Sequence, residues 1–145
     1  MQIETTRFGT VEIAADDVLT FATGLIGMES CRRWTLLADA ENISLGWLQS
    51  IDRPDVALAV VSPRRFVPDY RVRVEARDLL PLELTDPRDA QVLVVVTKAG
   101  DTLALNLKAP LVIHVEARLG RQIVAKDDHA VQYLLNATVP MRKTA

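Results

Sequence analysis

The chain has 145 residues, of which 49% are hydrophobic and 25% charged, so we expect one domain over residues 1–145 with a substantial core. Its net charge of -2 excludes a general attraction to nucleic acid or to anionic membranes. The longest apolar run, Val92–Val96, is too short to cross a bilayer, and the amino terminus lacks a signal-peptide pattern. The single cysteine, Cys31, cannot form an internal disulfide. Together these features predict a cytoplasmic protein with no membrane partner.

The first half of the chain consists of short apolar or alternating segments separated by turn residues, a pattern typical of strands. Between them, residues 23–29 contain two glycines and predict a loop, and residues 52–55 predict a turn around Pro54. The predicted strands are 2–8 and 10–13, flanking Gly9 as in a hairpin, then 18–21, 34–38, 45–51 and 56–61.

The second half continues the pattern after a loop over 63–70. Residues 71–77 alternate between charged and apolar side chains, which predicts a strand with one solvated face. Residues 79–84 fit either one helical turn or another strand, and a short terminal helix is predicted over 129–136. Further strands are predicted over 91–97, 102–107, 111–117 and 122–125, with a hairpin loop at 99–101, a polar turn at 86–89 and a frayed end at 141–145.

About ten strands at a spacing of roughly 8–12 residues are typical of an all-β barrel or sandwich. The predicted fold class is therefore all-β and mainly antiparallel, a small closed or partly open β-barrel-like domain with short helical turns. Closing the sheet would also remove edges that could pair with other chains.

The sequence contains no convincing catalytic or metal-binding pattern. Ser50 lacks the glycine context of a nucleophile, and only two histidines, His114 and His129, could serve it as a base. The local group 127–129 is too small for a metal site, and 24–27 lacks the residues that follow the glycines of a phosphate loop. We expect no enzyme activity, no cofactor and no metal.

Two uncharged amides stand out on otherwise apolar strands. Gln49 shares its strand face with Trp47 and Ile51, and Asn106 shares its face with Thr102 and Ala104. Since an unpaired buried amide costs ~1–3 kcal/mol, each either binds the main chain of a neighbouring loop or stays open for a partner. A structural role is favoured for both, because buried amides usually bind main-chain groups.

A basic stripe with interleaved aromatics follows the sixth predicted strand. Three interpretations compete for it: a solvated face, a protein interface, or a surface for single-stranded RNA. The negative net charge and the nearby Asp69, Glu75 and Asp78 argue against RNA, so we expect no direct nucleic-acid partner. The stripe consists of Arg64, Arg65, Arg71, Arg73 and Arg77, with Phe66 and Tyr70.

Several segments together resemble the FliW family of flagellar assembly factors, in an order and spacing that cover nearly the whole chain. The Leu-Gln-Ser and Asn-Leu-x-Ala-Pro segments are specific as a pair, whereas either alone would be weak. The segments that carry the resemblance are 24–29, 47–55, 63–70, 106–113 and 120–124, and the motif residues within them are Gly24, Leu25, Gly27, Leu48, Gln49, Ser50, Asn106, Ala109, Pro110 and Gln122.

The chain departs from the family in its first loop, where Ile26 and Met28 replace the usual proline and phenylalanine. This places the rigidity of the loop, and any aromatic contact there, in question. Tyr133 follows the 122–124 segment later than the family's usual tyrosine.

The resemblance implies a small barrel without enzyme activity, monomeric by itself, and two protein partners. One is flagellin, and the other is CsrA, a dimeric RNA-binding translational repressor. In this scheme the protein binds CsrA away from its RNA surface and lowers its affinity for the flagellin message, while free flagellin competes for the protein. Such an effect is a coupling free energy between two sites on the repressor.

We expect partner binding on loops carried by the rigid barrel, with aromatic anchors and arginines that orient the partner. Two rival hypotheses stay open: a single-stranded RNA binder that uses the basic stripe, and a small-molecule barrel or hydrolase that uses Ser50. The predicted partner-binding residues are Asp52, Arg53, Pro54, Arg64, Arg65, Phe66, Tyr70, Arg71 and Arg73.

Overall fold

The computed structural model of the chain describes residues 1–135, which form eleven strands and short helical turns. The single α-helical turn is α1, Ala76–Leu79, and 3₁₀ turns lie at Ala15–Asp17, Pro63–Arg65, Leu80–Leu82 and Pro87–Asp89. The strands are β1 Gln2–Thr5, β2 Gly9–Glu12, β3 Val18–Phe21, β4 Arg33–Ala38, β5 Gly46–Ser50, β6 Ala57–Val61, β7 Ala90–Ala99, β8 Thr102–Leu105, β9 Leu111–His114, β10 Leu119–Gln122 and β11 Tyr133–Leu134.

Seven of the strands close into a barrel in the order β3-β4-β5-β6-β7-β9-β10, and β10 returns to β3. Every neighbouring pair in this ring is antiparallel except β10 and β3, which run parallel with Gly120 opposite Phe21. Gly120 is required there, because a Cβ atom would lie 2.4 Å from the Phe21 ring. The predicted class, an all-β and mainly antiparallel barrel with short helical turns, is confirmed.

Strand β7 supports two strands in succession along one of its edges. Its first half pairs with β9, with Leu93 opposite Leu111, and its second half pairs with β8, with Val96 opposite Leu105. Residues 106–110 therefore face only residues 94–95 and form a wide bulge. Strand β11 adds to the other edge of β8.

The barrel interior is filled by large apolar side chains. Phe21, Trp34, Leu48 and Leu111 are completely buried in it, and the Trp34 indole Nε1 donates to the Cys31 carbonyl at 2.9 Å. Leu25 and Cys31, from the loop after β3, belong to the same cluster and close one end of the barrel. The interior is thus a packed core, as in other small barrels.

Two excursions cover the outside of the barrel. The β1–β2 hairpin lies against β5, where the Phe8 and Trp47 rings meet edge to face at 5.9 Å and the Thr6 N–H donates to the Pro54 carbonyl at 2.9 Å. Residues 62–89, between β6 and β7, cover β7 and β9 through Tyr70 and Leu82, which lie in two further apolar clusters. The predicted hairpin is confirmed, but its turn is formed by residues 6–8, and Gly9, with φ +70°, is the first residue of β2.

The strands predicted over 2–8, 102–107 and 111–117 end earlier, at Thr5, Leu105 and His114. Three predicted elements differ more from the structure. The strand over 71–77 is wrong: α1 begins at Ala76, and the Arg73 main chain binds the Asp127 side chain and the Lys126 N–H, so no ladder forms. The strand over 122–125 is displaced, since β10 ends at Gln122. The terminal helix over 129–136 is wrong for its described part, because β11 pairs with β8 and the Ala130 carbonyl accepts from residues 107 and 108.

For residues 79–84, the helical alternative is the observed one. Residue 136 and the end predicted to fray, 141–145, lie outside the described residues. Within residues 1–135, no helix has the length and apolar character needed to cross a membrane.

Candidate protein-binding surfaces

Four of the five sequence segments that carry the family resemblance meet at one end of the barrel, namely 24–29, 47–55, 106–113 and 120–124. The register places the end of β3, the start of β4, the end of β5 and the end of β10 side by side. The loop 22–32, the turn 51–56 and the bulge 106–110 therefore leave the sheet at the same end. Segments that are far apart in the sequence thus form one structural unit.

Gln122 joins two of these segments directly. Its Oε1 accepts from the Ile26 N–H at 2.8 Å, and its Nε2 donates to the Ala109 carbonyl at 3.1 Å. One side chain therefore fixes the first loop against the bulge.

The loop between β3 and β4 contains a tight turn whose two ends bind each other, with the Met28 N–H donating to the Leu25 carbonyl at 2.8 Å. Gly24 has φ +65°, and a Cβ there would lie 2.6 Å from main-chain atoms of Glu29. Gly27 has φ +85° in open space. Ile26, one of the two departures from the family, is 59% exposed at the tip, whereas Met28 packs on the barrel core.

Gln49 and Ser50 stabilise the turn after β5. The buried Gln49 amide donates to the carbonyls of Ser50, Pro54 and Val56 at 2.9, 3.2 and 3.1 Å. The Ser50 Oγ accepts from the Arg53 N–H at 2.9 Å. Leu48, their neighbour, points into the core and is completely buried. Of the two roles considered for the Gln49 amide, it therefore has the structural one: it binds the main chain of a loop.

Asp52 holds the neighbouring loop in the same way. Its Oδ2 accepts from the N–H groups of Arg32 and Arg33 at 2.9 Å each, and its Oδ1 lies 2.9 Å from the Arg33 guanidinium. Partial burial acts to raise the pKa of Asp52, but these hydrogen bonds outweigh it and hold the pKa below its ordinary value. On the same turn, Arg53 pairs with Asp55 at 2.9 Å on the exposed surface.

Asn106 stabilises the bulge. Its Oδ1 accepts from the N–H groups of Lys108 and Ala109 at 3.2 and 3.1 Å, which satisfies donors that have left the ladder. Ala109 and Pro110 are buried behind it. The second amide is therefore also bound to the main chain.

Tyr70 anchors the loop 63–73 to the bulge. The residue is 4% exposed, and its hydroxyl donates to the Leu107 carbonyl at 2.7 Å. Burial, followed by the nearby charge of Asp127, raises the pKa of Tyr70 to about 12. The Tyr70 ring is therefore buried and is not exposed for contact with a partner protein. Phe66 is half-buried against the same cluster.

The segment 126–130 holds the next residues of the loop. The His129 Nε2 lies 2.7 Å from the Arg71 carbonyl and 3.2 Å from Asp127, whose Oδ1 accepts from the Arg73 N–H at 3.1 Å. Desolvation acts to raise the pKa of Asp127, but the Arg73 N–H and His129 lower it by more. The main chain of 71–73 is therefore fixed while its arginine side chains stay exposed.

A groove of about 890 Å³ lies between this loop and the outer face of β7 and β9. Among residues 1–135, three arginines and no carboxylate line it: Arg64, Arg71 and Arg73. The larger aliphatic side chains that line it are Val72, Val74, Leu79, Leu84, Val92 and Val112.

The predicted partner-binding residues form two separate surfaces. Residues 52–55 precede β6 and the loop 63–73 follows it, so five residues of strand, roughly 16 Å, separate them. Arg65 is exposed on the same 3₁₀ turn as Arg64 but does not line the groove. Near the turn, a smaller hollow of about 330 Å³ is lined by residues 6–7, 54–55 and 57.

Comparison with known proteins identifies the family. A profile described as FliW protein matches residues 2–135. The chain belongs to the FliW family. A FliW-family relative from Bdellovibrio bacteriovorus, named flagellar assembly factor FliW, is 40% identical over 131 residues, covering 89% of this chain and 75% of the relative. A second with the same name, from Natranaerobius thermophilus, is 34% identical over 127 residues, covering 86% and 84%.

The fold agrees with the family. A crystal structure of the flagellar assembly factor FliW superposes with a TM-score of 0.85 at 28% identity, covering 96% of this chain and 100% of that one. The barrel is therefore the FliW fold, and no known enzyme family is indicated by any of these similarities.

The residues considered for catalysis have structural partners in this FliW-family chain. Ser50 is completely buried, and the His114 Nδ1 lies 2.8 Å from the Leu82 carbonyl. Neither groove described above is lined by Gln49 or Ser50, so the small-molecule hypothesis gains no support from them. Within residues 1–135, no group of three or more His, Cys, Asp or Glu side chains is arranged to hold a metal.

Sequence reasoning missed half of the groove. Leu79, Leu84, Val92 and Val112 line it, but no short segment carries them. Val112 lies on a core strand and Leu84 just before a turn, so no local pattern marks them as one surface. The alternation of 71–77 was the available signal: it predicted the exposed arginine side chains correctly, but the strand that it predicted is not formed.

Proposed function

We propose that the chain acts as a flagellar assembly factor that binds the translational repressor CsrA and, in competition, flagellin. By binding CsrA away from its RNA surface it lowers the affinity of CsrA for the flagellin message. When flagellin is exported, the protein is free to relieve the repression. The supporting observation is the FliW family profile over residues 2–135.

The surface proposed for the partners has two parts. The first is the exposed turn with Arg53 and Pro54, and the second is the loop 63–73 with its exposed arginines. Both are held on the barrel by buried hydrogen bonds, so they need little ordering on binding, which favours affinity. Arginines at such positions set orientation and association rate.

The test is a titration of the purified chain with CsrA and flagellin of the same organism, separately and in competition. Binding to both, with flagellin displacing CsrA, supports the proposal. Failure of the folded chain to bind either protein overturns it. Binding to flagellin alone removes the translational role.

Charge-reversal variants then test which partner, if either, binds each part of the surface. Arg53→Glu changes the turn, and Arg71→Glu with Arg73→Glu changes the loop. Lys98→Glu, at an exposed position of β7, is the matched control. We expect the turn variant or the loop variant to bind at least one partner more weakly. The control variant should bind both partners as the unchanged protein does. Unchanged affinity of both partners for all variants would refute the placement.

A further inference from the structure

The segment 71–75 has the sequence pattern of a strand but is not paired in a sheet within residues 1–135. The Arg73 N–H and C=O bind Asp127 and Lys126, and the Arg71 carbonyl binds His129, so residues 71 and 73 face the segment 126–130.

The intervening residues face the other way. In an extended chain the N–H and C=O groups of successive residues point to opposite sides. Within residues 1–135, the main-chain groups of Val72 and Val74 form no hydrogen bond. Both residues line the large groove. Their side chains pack on the two outer apolar clusters, which keeps the main chain in place.

The charged side chains that line the groove beside this edge are all arginines, whereas Glu75 pairs with Arg77 and Asp127 binds the Arg73 N–H. The side chains of Arg71 and Arg73 are exposed, and no ion pair or hydrogen bond of either guanidinium occurs in the described part of the chain. Arg64 lines the same groove, where its Nε donates to the Tyr70 carbonyl at 3.0 Å. No carboxylate of the described part of the chain lines the groove to neutralise these charges.

We propose that an extended acidic segment of a partner protein binds here by adding a strand to the free edge at Val72 and Val74. Main-chain hydrogen bonds supply affinity, alternate side chains of the segment enter the apolar groove, and its carboxylates pair with Arg71 and Arg73. This inference rests on the proposed function only in that the occupant is a protein partner.

The probe is a synthetic peptide of about eight residues, within the usual range of strand lengths, that alternates glutamate and valine. One control peptide carries lysine in place of glutamate, and another has alternate main-chain amides N-methylated. We expect the acidic peptide alone to bind. Absence of binding, or equal binding of the N-methylated peptide, overturns the proposal.

Amide hydrogen exchange measured by NMR reads out the binding mode. In the free protein the Val72 and Val74 amides should exchange quickly and the Arg73 amide slowly. Saturating peptide should slow exchange at Val72 and Val74 by about tenfold or more, with little change at Arg73. Peptide binding without this protection also overturns the proposal, because a helix in the groove would leave both amides free.

Substitutions provide a second, independent test. Arg71→Glu with Arg73→Glu leaves the main-chain bonds of the segment intact and should weaken peptide binding about tenfold or more at low salt. Arg65→Glu with Lys98→Glu makes the same change of net charge at exposed positions outside the groove and should change peptide binding less than about twofold. Equal effects of both would overturn the proposed site. The CsrA and flagellin titration is a separate measurement, so failure of this inference would leave the proposed function standing.

Discussion

Replacing Gln49 by glutamate tests how the turn after β5 is held. The substitution keeps the size of the side chain but replaces the amide donor by a carboxylate beside three carbonyl oxygens. The site is completely buried, so the carboxylate cannot be solvated. The Gln49 Oε1 has no hydrogen-bond partner within the described residues, so no donor is in place to stabilise a charge.

The magnitude follows from linkage. Burial and the neighbouring carbonyls raise the pKa of the introduced glutamate in the folded state above its unfolded value of about 4.3. The folded state then binds more protons than the unfolded state, so stability falls as pH rises from about 4.3, by about 1.4 kcal/mol per unit. If the native site keeps the group neutral at pH 7, the loss there is about 3.7 kcal/mol beyond the lost hydrogen bonds.

Urea unfolding between pH 4 and pH 8 measures this difference. Gln2→Glu, at an exposed position of β1, is the control and should show little effect at any pH. A pH-independent loss of less than about 1 kcal/mol in Gln49→Glu would refute the reasoning, because the side chain could then not be a buried donor to the turn.

Three further predictions concern the hydrogen bonds and turns that support the two surfaces. Tyr70→Phe should lower the free energy of unfolding by about 1–3 kcal/mol, because the buried Leu107 carbonyl loses its donor. The control Tyr133→Phe should change the free energy of unfolding by less than about 0.5 kcal/mol. Equal effects of the two substitutions would contradict the anchor role of Tyr70. Gly24→Ala should cost about 2 kcal/mol more than Gly27→Ala in thermal unfolding, since both have positive φ but only the first clashes; equal costs would show that the loop moves aside. Asp52 has a lowered pKa in the folded state, so it contributes stability above its unfolded pKa of about 3.9 that is lost as pH falls. Asp52→Asn should therefore flatten the acid side of the stability profile, and an unchanged profile would contradict this.

Most strands were predictable from short patterns. The strands β3 to β7 lie where apolar runs are bounded by glycine, proline or acidic turns, and the hairpin around Gly9 follows from the same signals. These signals are local, because side-chain alternation and turn chemistry depend on neighbouring residues. The ends of strands were less accurate: β10 begins at Leu119, where its parallel partner β3 starts to pair.

The candidate surfaces were only partly predictable. The exposed arginines at 64, 65, 71 and 73 were identified, but not the separation of residues 52–55 from the loop 63–73. The burial of Tyr70 was also missed, since its hydroxyl partner Leu107 is 37 residues away in the sequence. Aromatic residues among arginines are typical of an interface, and only tertiary packing distinguishes an exposed ring from a buried one.

The sequence by itself determined the all-β class, the positions of most turns and the family, because periodicity, turn residues and motif order are properties of the chain itself. Only the tertiary structure decided that Gln122 joins two loops and that Gln49 and Asn106 bind the main chain. It also decided that the main-chain groups of Val72 and Val74 form no hydrogen bond within residues 1–135. Each of these depends on which distant segment lies opposite a residue. The register of a closed barrel sets that relation, and no local pattern encodes it.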